Sequence, residues 1–375
     1  MKTPHLLTAT LTFLIASHGF GQGALNPPPG APAPTMKSLD QVEPRILMSA
    51  INTPGDVAST FIISAPGSYY LTGNFIGEPG KHGISIQAND VTLDLNGFAL
   101  ISGGGGATRG VNVPALQTGI CIRNGNVRGW TGDGIHGQLA TILAEKLSLT
   151  NNTDAIGLAV SNGSLVKDCV ASGNHTGFKS DDRAQFNNCI STVNVIGFSC
   201  TSFVTLLDCT ASRGSIGISV QSACSVLRCS ATRNTVNGFE VGSGSTIADC
   251  VAGTNGFNGI GTDTGSTVRN CTTRANGGIG ISFAINCHIF GNTSDGNYRG
   301  IYAGGNGNRI DGNNCSANTL YGYSIEGANN LIVRNSAHAN GTNFSFLLAP
   351  HGGPIVDMTA GGTITSTNPW ANFSY

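Results

Sequence analysis

The sequence predicts an all-β solenoid of about 12 stacked coils with a cap at each end. Three features of the 375 residues carry this prediction. The first is a glycine followed by a bulky apolar residue, which recurs every 20 to 23 residues. So regular a step over most of a chain is typical of one coil per repeat. The ten pairs are Gly134-Ile135, Gly157-Leu158, Gly177-Phe178, Gly197-Phe198, Gly217-Ile218, Gly238-Phe239, Gly259-Ile260, Gly280-Ile281, Gly300-Ile301 and Gly322-Tyr323.

The other two features are columns in phase with these glycines. Eight or nine positions before the glycine lies a column of Cys and then Asn: Cys169, Cys189, Cys209, Cys229, Cys250, Cys271, Asn292, Asn314 and Asn335. Five positions after that column lies a second one, which is mostly Asn: Asn174, Asn194, Gly214, Asn234, Asn255, Asn276, Asn297, Thr319 and Asn340. A column of Asn suits a turn, because Asn tolerates the left-handed conformation and its amide bonds to backbone or to the next Asn.

A period near 21 residues leaves no room for a helix of ordinary length beside strands, but it accommodates three short strands and three turns. An apolar residue lies three positions before most of the Cys/Asn column, as in Val166, Phe186 and Leu206, and we expect it to face the core. The run 91–95 alternates apolar and polar residues, as a half-buried strand does. The coils are therefore predicted over residues 61–344.

The segments outside the coils have predicted roles of their own. Lys2 and the apolar run Leu6 to Ala16 are typical of a secretory signal peptide, which we assign to residues 1–21. A proline-rich linker and a short helix from Ser38 to about Leu47 make residues 22–60 the N-terminal cap. The aperiodic residues 345–375 form the predicted C-terminal cap, because an open solenoid end exposes core and an unpaired edge.

Composition limits the classes of partner. The net charge is −1 and only 10% of the residues are charged, so no basic surface invites nucleic acid. The N-terminal apolar run is too short to span a bilayer, and no later segment is long enough to do so. Six of the eleven cysteines share one column with parallel side chains, which disfavours disulfide geometry. We therefore expect mostly reduced cysteines that act as small apolar residues.

A resemblance to a known family follows from these motifs. The Gly-apolar column, the Asn column and the period resemble the right-handed parallel β-helix superfamily with the pectin-lyase-like fold. The N-terminal half also resembles a group of exported bacterial β-helix-repeat proteins, through residues 67–74, 89–98 and 122–130. The resemblance covers roughly residues 60–350 and implies a right-handed fold, in agreement with the chirality of parallel connections. It implies no particular reaction.

Alternation along the strand after each column glycine selects the outward side chains: those two and four positions after the glycine. Glu240 and Asp263 are the first candidate catalytic pair among them. They lie one coil and two residues apart, so their Cα atoms should be about 8 Å apart. Carboxylates at such a separation suit an inverting glycosidase. The alternative is two solvated charges on an exposed strand.

A second candidate cluster is Lys179, Asp181, Asp182 and Arg183, in an otherwise charge-poor chain, and its first three members are the candidate catalytic residues. The resemblance to β-helix lyases implies that carboxylates beside a cation can hold calcium or a uronate. The alternative is a local salt-bridged turn. Calcium is the one ion that this cluster suggests, and no other cofactor is indicated.

Four outward residues are candidate substrate-binding groups: Tyr298, Tyr302, His136 and Glu326. Exposed tyrosine rings can pack on sugars, and the alternative for them is packing against the C-terminal cap. Together these features predict an exported protein whose outer sheet binds or processes extended polysaccharide, with a non-catalytic surface or binding module favoured. A polysaccharide lyase or glycoside hydrolase is one alternative, and a purely structural cell-envelope protein is the other.

Overall fold

The computed structural model describes residues 44–106, 108–153, 155–361 and 363–375. Residues 45–375 form a single compact unit. The described residues contain strands, turns and bends but no helix, and hence none that could span a bilayer. The predicted signal peptide and linker lie outside the described residues. So does most of the predicted cap helix, but its last positions, Ile46 and Leu47, form a strand.

All the named strands pair in parallel, and each coil contributes strands to three faces. Face A is a separate 14-stranded sheet. With the partial coils at both ends, the solenoid makes about 16 turns instead of the predicted 12 or so. Segments predicted as caps contribute to this number through strands such as Ile46–Leu47 and Asn372–Ser374. The strands of face A are Ser59–Ile63, His82–Ile86, Val111–Asn112, Ile135–Gly137, Ile156–Val160, Thr176–Ser180, Ile196–Cys200, Ile216–Val220, Phe239–Val241, Ile260–Thr262, Ile279–Phe283, Arg299–Ala303, Tyr321–Ile325 and Thr342–Phe346.

Faces B and C are joined, because the strands Ile120–Arg128 and Ile142–Thr150 run through both. The other strands of face B are Ile46–Leu47, Gly67–Tyr70, Val91–Asp94, Leu165–Lys167, Gln185–Asn187, Thr205–Leu207, Ser225–Leu227, Thr246–Ala248, Thr267–Arg269, His288–Phe290, Arg309–Asp311, Leu331–Val333 and His351–Gly352. Those of face C are Phe75–Ile76, Ala99–Ile101, Val170–Ser172, Ile190–Thr192, Thr210–Ser212, Ser230–Thr232, Val251–Gly253, Thr272–Arg274, Thr293–Asp295, Asn314–Ser316, Ser336–His338, Ile355–Asp357 and Asn372–Ser374.

The core is a stack of inward side chains from the three faces. Face A supplies large residues such as Phe178 and Phe198, whose rings stack with centroids 5.0 Å apart. Face B supplies Phe186 and Leu206, and face C supplies small residues such as Ala211. The inward positions predicted from the Gly-apolar column are confirmed as buried. The predicted parallel β-helix is therefore confirmed.

The corners between faces explain the columns seen in the sequence. At the corner between faces B and C, one residue adopts a left-handed conformation and the next is the buried Cys or Asn of the first column, as in Asp208-Cys209. The corner between faces C and A repeats this arrangement with the second column, as in Arg233-Asn234. Each column residue can therefore bond to the coils before and after it, while the left-handed residue before it makes the bend.

The column glycines are needed because backbone approaches them closely. A Cβ atom on Gly238 would lie 2.6 Å from the carbonyl oxygen of Gly259 and 2.7 Å from the amide nitrogen of Asn255. Both distances are far below van der Waals contact. The same clash occurs at Gly259 with the next coil, so the glycine and Asn columns depend on each other.

Two details of the predicted columns are wrong. The Cys/Asn column passes through Asn313, which is buried and bonded to Asn292 and Asn335, and not through Asn314. The second column correspondingly passes through Asn318 and not Thr319. The spacing from the column to the glycine is one residue longer in this coil, and adjacent Asn residues at 313 and 314 concealed the change.

A third column, not predicted, lies at the corner between faces A and B. Its members are small but of mixed type: Ser164, Ala184, Val204, Cys224, Ser245, Ser266, Cys287, Asn308 and Asn330. The backbone N–H of Cys224 donates to the hydroxyl of Ser245, and that of Cys287 donates to the amide oxygen of Asn308.

All eleven cysteines of the chain are free thiols.

Candidate functional site

Face A aligns one outward row of side chains in register along the solenoid. The residues two positions after the column glycines pair directly from coil to coil. This row reads Asn112, His136, Ala159, Lys179, Ser199, Ser219, Glu240, Gly261, Ser282, Tyr302 and Ser324. Most of its members are small, and Asn112, Ala159 and Ser324 are buried. The larger members that stay partly accessible are His136, Lys179, Glu240 and Tyr302.

The central part of face A contains a shallow depression of about 500 Å³ that both Glu240 and Asp263 line. Glu240 pairs with Gly261, which places Asp263 one coil and two residues further on, as the spacing predicted. The carboxylate of Glu240 accepts a hydrogen bond from the amide of Asn237 at 2.7 Å. Asp263 is exposed, whereas Glu240 is half-buried. The two carboxylates thus share one depression in different environments.

Among the described residues, no ion pair joins Lys179 to Asp181 or Asp182, so the salt-bridged turn that was one interpretation of this cluster is not seen there. Asp182 accepts hydrogen bonds from the hydroxyl of Thr201 at 2.7 Å and from the backbone N–H of Ser202 at 3.0 Å. Both bonds hold the pKa of Asp182 below its ordinary value, and the bond from the Thr201 hydroxyl contributes most. Asp182 therefore fastens the corner between two coils, while Lys179 stands in the outward row of face A.

A polar cluster surrounds His136 near the N-terminal end of face A. Nδ1 of His136 lies 2.6 Å from a carboxylate oxygen of Asp133, whose other oxygen accepts the backbone N–H of Ile156 at 3.1 Å. In the neighbouring coil, the Arg109 guanidinium donates to the side-chain oxygen of Asn112 at 2.8 Å. With Lys179 two coils further on, these groups make this end of face A rich in cations.

His82 extends this cluster by one coil. Its Nδ1 accepts the backbone N–H of Arg109 at 3.0 Å. Burial lowers the pKa of His82, and the nearby Arg109 charge lowers it further. His82 is therefore held as a neutral hydrogen-bond acceptor near neutral pH.

The C-terminal end of face A carries an aromatic cluster around Tyr302. The hydroxyl of Tyr302 donates to Glu326 at 2.9 Å, and the Arg299 guanidinium lies 3.6 Å from the same carboxylate. Arg299 also lies over the rings of Tyr302 and Tyr321, at 5.3 and 5.5 Å from their centroids. Burial raises the pKa of Tyr302, and the bond to Glu326 adds to this. The candidates Tyr302 and Glu326 are thus one bonded unit, next to the exposed ring of Tyr298.

Sequence analysis missed the outward row that lies immediately before the column glycines. In the structure this row supplies Asp133, Asn237 and Arg299, which contact the predicted candidates His136, Glu240 and Tyr302. It also supplies Arg109 and Tyr321. The same strand alternation that selected the later positions would have selected this one. The spacing of residues in the sequence does not indicate toward which neighbouring coil a long side chain extends.

The turns that border the middle of face A are short. Strands of faces A and B are joined by four residues at 181–184, 201–204, 221–224, 242–245 and 263–266. Turns of this length do not rise above the sheet to wall a groove, so the Glu240 depression is open on the side toward face B. On the other side, longer connections of six residues, 233–238 and 254–259, join faces C and A. Within the described residues, no three His, Cys, Asp or Glu side chains converge on a point where they could hold a metal ion. The described carboxylates around Lys179 therefore form no multidentate calcium cage.

Comparisons with known proteins return structural likenesses only. No family model matches the chain, and no curated protein matches it. Among solved structures, the chain is similar to the A-module of the mannuronan C-5 epimerase AlgE6 of Azotobacter vinelandii. The two share 15% identity at a TM-score of 0.49, over 83% of this chain and 91% of the other.

Two further structures show weaker likeness. The periplasmic alginate epimerase AlgG gives 12% identity and a TM-score of 0.43, over 88% of this chain and 82% of the other. The surface adhesin PfbA of Streptococcus pneumoniae gives 8% identity and a TM-score of 0.38, over 75% and 82%. The strand register of this chain, and not these likenesses, establishes its parallel β-helix.

Proposed function

We propose that face A binds an extended polysaccharide and does not turn it over. The observation that carries the proposal is the in-register outward row, with a cationic group of side chains at one end, two carboxylates in the middle and an aromatic cluster at the other end. A linear polymer of sugars offers hydroxyl, carboxyl and apolar ring surfaces at regular intervals, which such a row matches. The predicted export of the chain would bring this face to an extracytoplasmic glycan.

The openness of face A favours binding over catalysis. Catalysis by a carboxylate pair depends on fixed geometry and on a site from which water is excluded. The depression that Glu240 and Asp263 line is shallow and has no wall on the side toward face B, and Asp263 is exposed. A flat strip, by contrast, can accept a polymer of any length along the solenoid axis.

The test is affinity electrophoresis of the full chain through gels that contain acidic or neutral polysaccharides. We expect retardation that weakens in Tyr302→Ala and in Lys179→Ala, at opposite ends of face A. Thr272→Ala on face C is the matched control, because Thr272 is also an exposed strand residue, and it should bind like the parent. Equal retardation of all four proteins, or none of any, would remove the proposal.

The second candidate function, hydrolysis or lyase action, has one observation in its favour: Glu240 and Asp263 share a depression. Release of reducing ends and of unsaturated uronates should be followed with and without calcium. We expect neither product. Turnover that disappears in both Glu240→Gln and Asp263→Asn would establish an enzyme at this depression and overturn the non-catalytic proposal.

A further inference from the structure

Face B carries a second group of functional side chains, near its C-terminal end and away from the outward row of face A. Two depressions of about 590 and 320 Å³ adjoin there and share Arg309. The first is also lined by His288, Asp311 and Arg334. The second has an apolar lining that includes Leu331 and Trp370. Together they place cations beside an aromatic ring.

One buried carboxylate fixes both arginines. Asp311, whose side chain is only 6% exposed, accepts Nε of Arg334 at 2.7 Å and Nη2 of Arg309 at 2.7 Å. A second Arg334 nitrogen donates to the same carboxylate. Burial opposes the ionisation of Asp311, but the two guanidinium groups outweigh it and hold its pKa below the ordinary value. The trio therefore carries one uncompensated positive charge.

The arginines keep donors for a ligand. Each guanidinium has five N–H groups in a planar fork and uses two nitrogens on Asp311. The side chains of Arg309 and Arg334 are 44% and 50% exposed. Among the residues that the structure describes, Asp311 is the only carboxylate that lines either depression. An arginine held by a carboxylate loses little further conformational entropy when it binds an anion, and its fork matches a carboxylate group.

The aromatic part of the site lies against the same arginine pair. The Arg334 guanidinium is 5.5 Å from the Trp370 ring centroid, and the backbone N–H of Arg334 donates to the Trp370 carbonyl at 3.3 Å. Trp370 is nevertheless 49% exposed. An indole beside an apolar depression is a surface on which the C–H face of a pyranose ring can pack. A ligand with a sugar ring and an attached anion would satisfy both parts.

We propose that these two depressions form a binding site for an acidic saccharide, with the carboxylate of a uronic acid on Arg309 and Arg334 and its ring against Trp370. The combined volume suits one or two sugar rings. The site is independent of face A, so the experiments that test it do not depend on the function proposed for face A.

Tryptophan fluorescence reports on this site directly. The chain has two tryptophans, and Trp130 is fully buried whereas Trp370 lines the site. We expect tetragalacturonate to change the emission of Trp370 in the full chain, and α-1,4-linked galactotetraose, its neutral counterpart, to leave it unchanged. Equal responses to both sugars would overturn the role of the anion. No response, together with no heat in calorimetry, would overturn the site.

Substitutions separate the site from general charge effects. Arg309→Lys keeps the charge but removes the fork, and we expect affinity for tetragalacturonate to fall about tenfold. The matched control is Arg228→Lys. Arg228 also donates to a carboxylate, that of Asp208, through two nitrogens, but it lines neither depression. It should bind within about twofold of the parent. An equal loss in both variants would overturn the assignment.

Two further sets of measurements identify the class of ligand and the face of the solenoid that binds it. Trp370→Ala, followed by calorimetry, should also weaken binding about tenfold. If inorganic sulfate binds as tightly as tetragalacturonate, the site is an anion pocket without a sugar surface, and the proposal is wrong. Lys179→Ala should leave the Trp370 response intact. If it abolishes that response, binding belongs to face A and not to this site.

Discussion

The corner between faces B and C is built in two ways along one chain. From Cys169 to Cys271 the buried column residue is cysteine, and from Asn292 to Asn372 it is asparagine. In the Asn part, each side chain bonds to the coils before and after it: Asn313 donates to Ile289 and Asn335 and accepts from Asn292. In the Cys part, the thiols contact carbonyl oxygens at 3.2–3.7 Å, as Cys271 does.

This difference shows which requirement of the corner is general. Both parts need a small buried residue after a left-handed one, because the coil must bend and the next coil must stack closely. Only the Asn part also satisfies backbone N–H groups with side-chain oxygens. The thiol is a weak donor and acceptor, so the Cys part relies on packing and on the backbone bonds between strands.

The largest expected difference between the two parts appears at alkaline pH. Contacts with the Cys169 and Cys209 thiols, together with burial, raise the pKa of Cys189, and contacts with the Cys209 and Cys250 thiols, together with burial, raise that of Cys229. An unfolded thiol ionises near pH 9.0. Because the folded pKa is the higher one, the stabilising contribution is complete below pH 9 and is lost as pH rises toward the folded pKa.

Each thiol whose pKa is raised, such as those of Cys189 and Cys229, should therefore lower the free energy of unfolding by about 1.4 kcal/mol per pH unit above 9. Urea unfolding at pH 8 and pH 10, followed by circular dichroism, measures the loss. Cys229→Ala removes one thiol from the Cys part, so its loss between these two pH values should be smaller than that of the parent. An identical loss in both proteins would assign the effect to other groups.

The second prediction concerns the Asn part and tests its register. Asn313→Ala leaves the buried backbone N–H and one amide hydrogen of Asn292 without their acceptor and the carbonyl of Ile289 without a donor. We expect a loss of about 2–4 kcal/mol in the free energy of unfolding. Asn314→Ala is the control, since Asn314 is only half-buried on face C and bonds to Ser336. If Asn314→Ala costs more than Asn313→Ala, the column passes through the residue that sequence spacing selected.

The contrast between Asn313 and Asn314 also shows how much of the structure can be predicted from the sequence. Recurrence identified the coils, the inward rows and two of the three columns, because each depends on a narrow set of residue types at a nearly constant spacing. The third column stayed hidden because Ser, Ala, Val, Cys and Asn all satisfy its corner. The site was predicted only in part, since the partners of Asp182 and Tyr302 lie in neighbouring coils at Thr201 and Glu326. Such contacts depend on side-chain direction, which spacing does not encode.

The third prediction has the smallest expected effect on stability but separates the two parts best. It replaces cysteine with asparagine at two positions of the Cys part, one in each variant. Cys209→Asn places an amide between Cys189 and Cys229, where the Phe186 carbonyl can accept one of its hydrogens. The other hydrogen faces a thiol, which is a weak acceptor. We expect a loss of about 1–2 kcal/mol from one poorly satisfied buried donor.

Cys271→Asn is chemically the same change at the boundary of the two parts. There the Ile247 carbonyl and the side-chain oxygen of Asn292 can accept both amide hydrogens, as Val268 and Asn313 do for Asn292 itself. We expect a change within about 0.5 kcal/mol of the parent in urea unfolding, because the Asn column simply becomes one rung longer. Equal losses at 209 and 271 would mean that volume, and not hydrogen bonding between rungs, separates the two parts. A loss only at 209 would show that asparagine stabilises this corner as a continuous column, since each amide depends on the oxygen of the next coil.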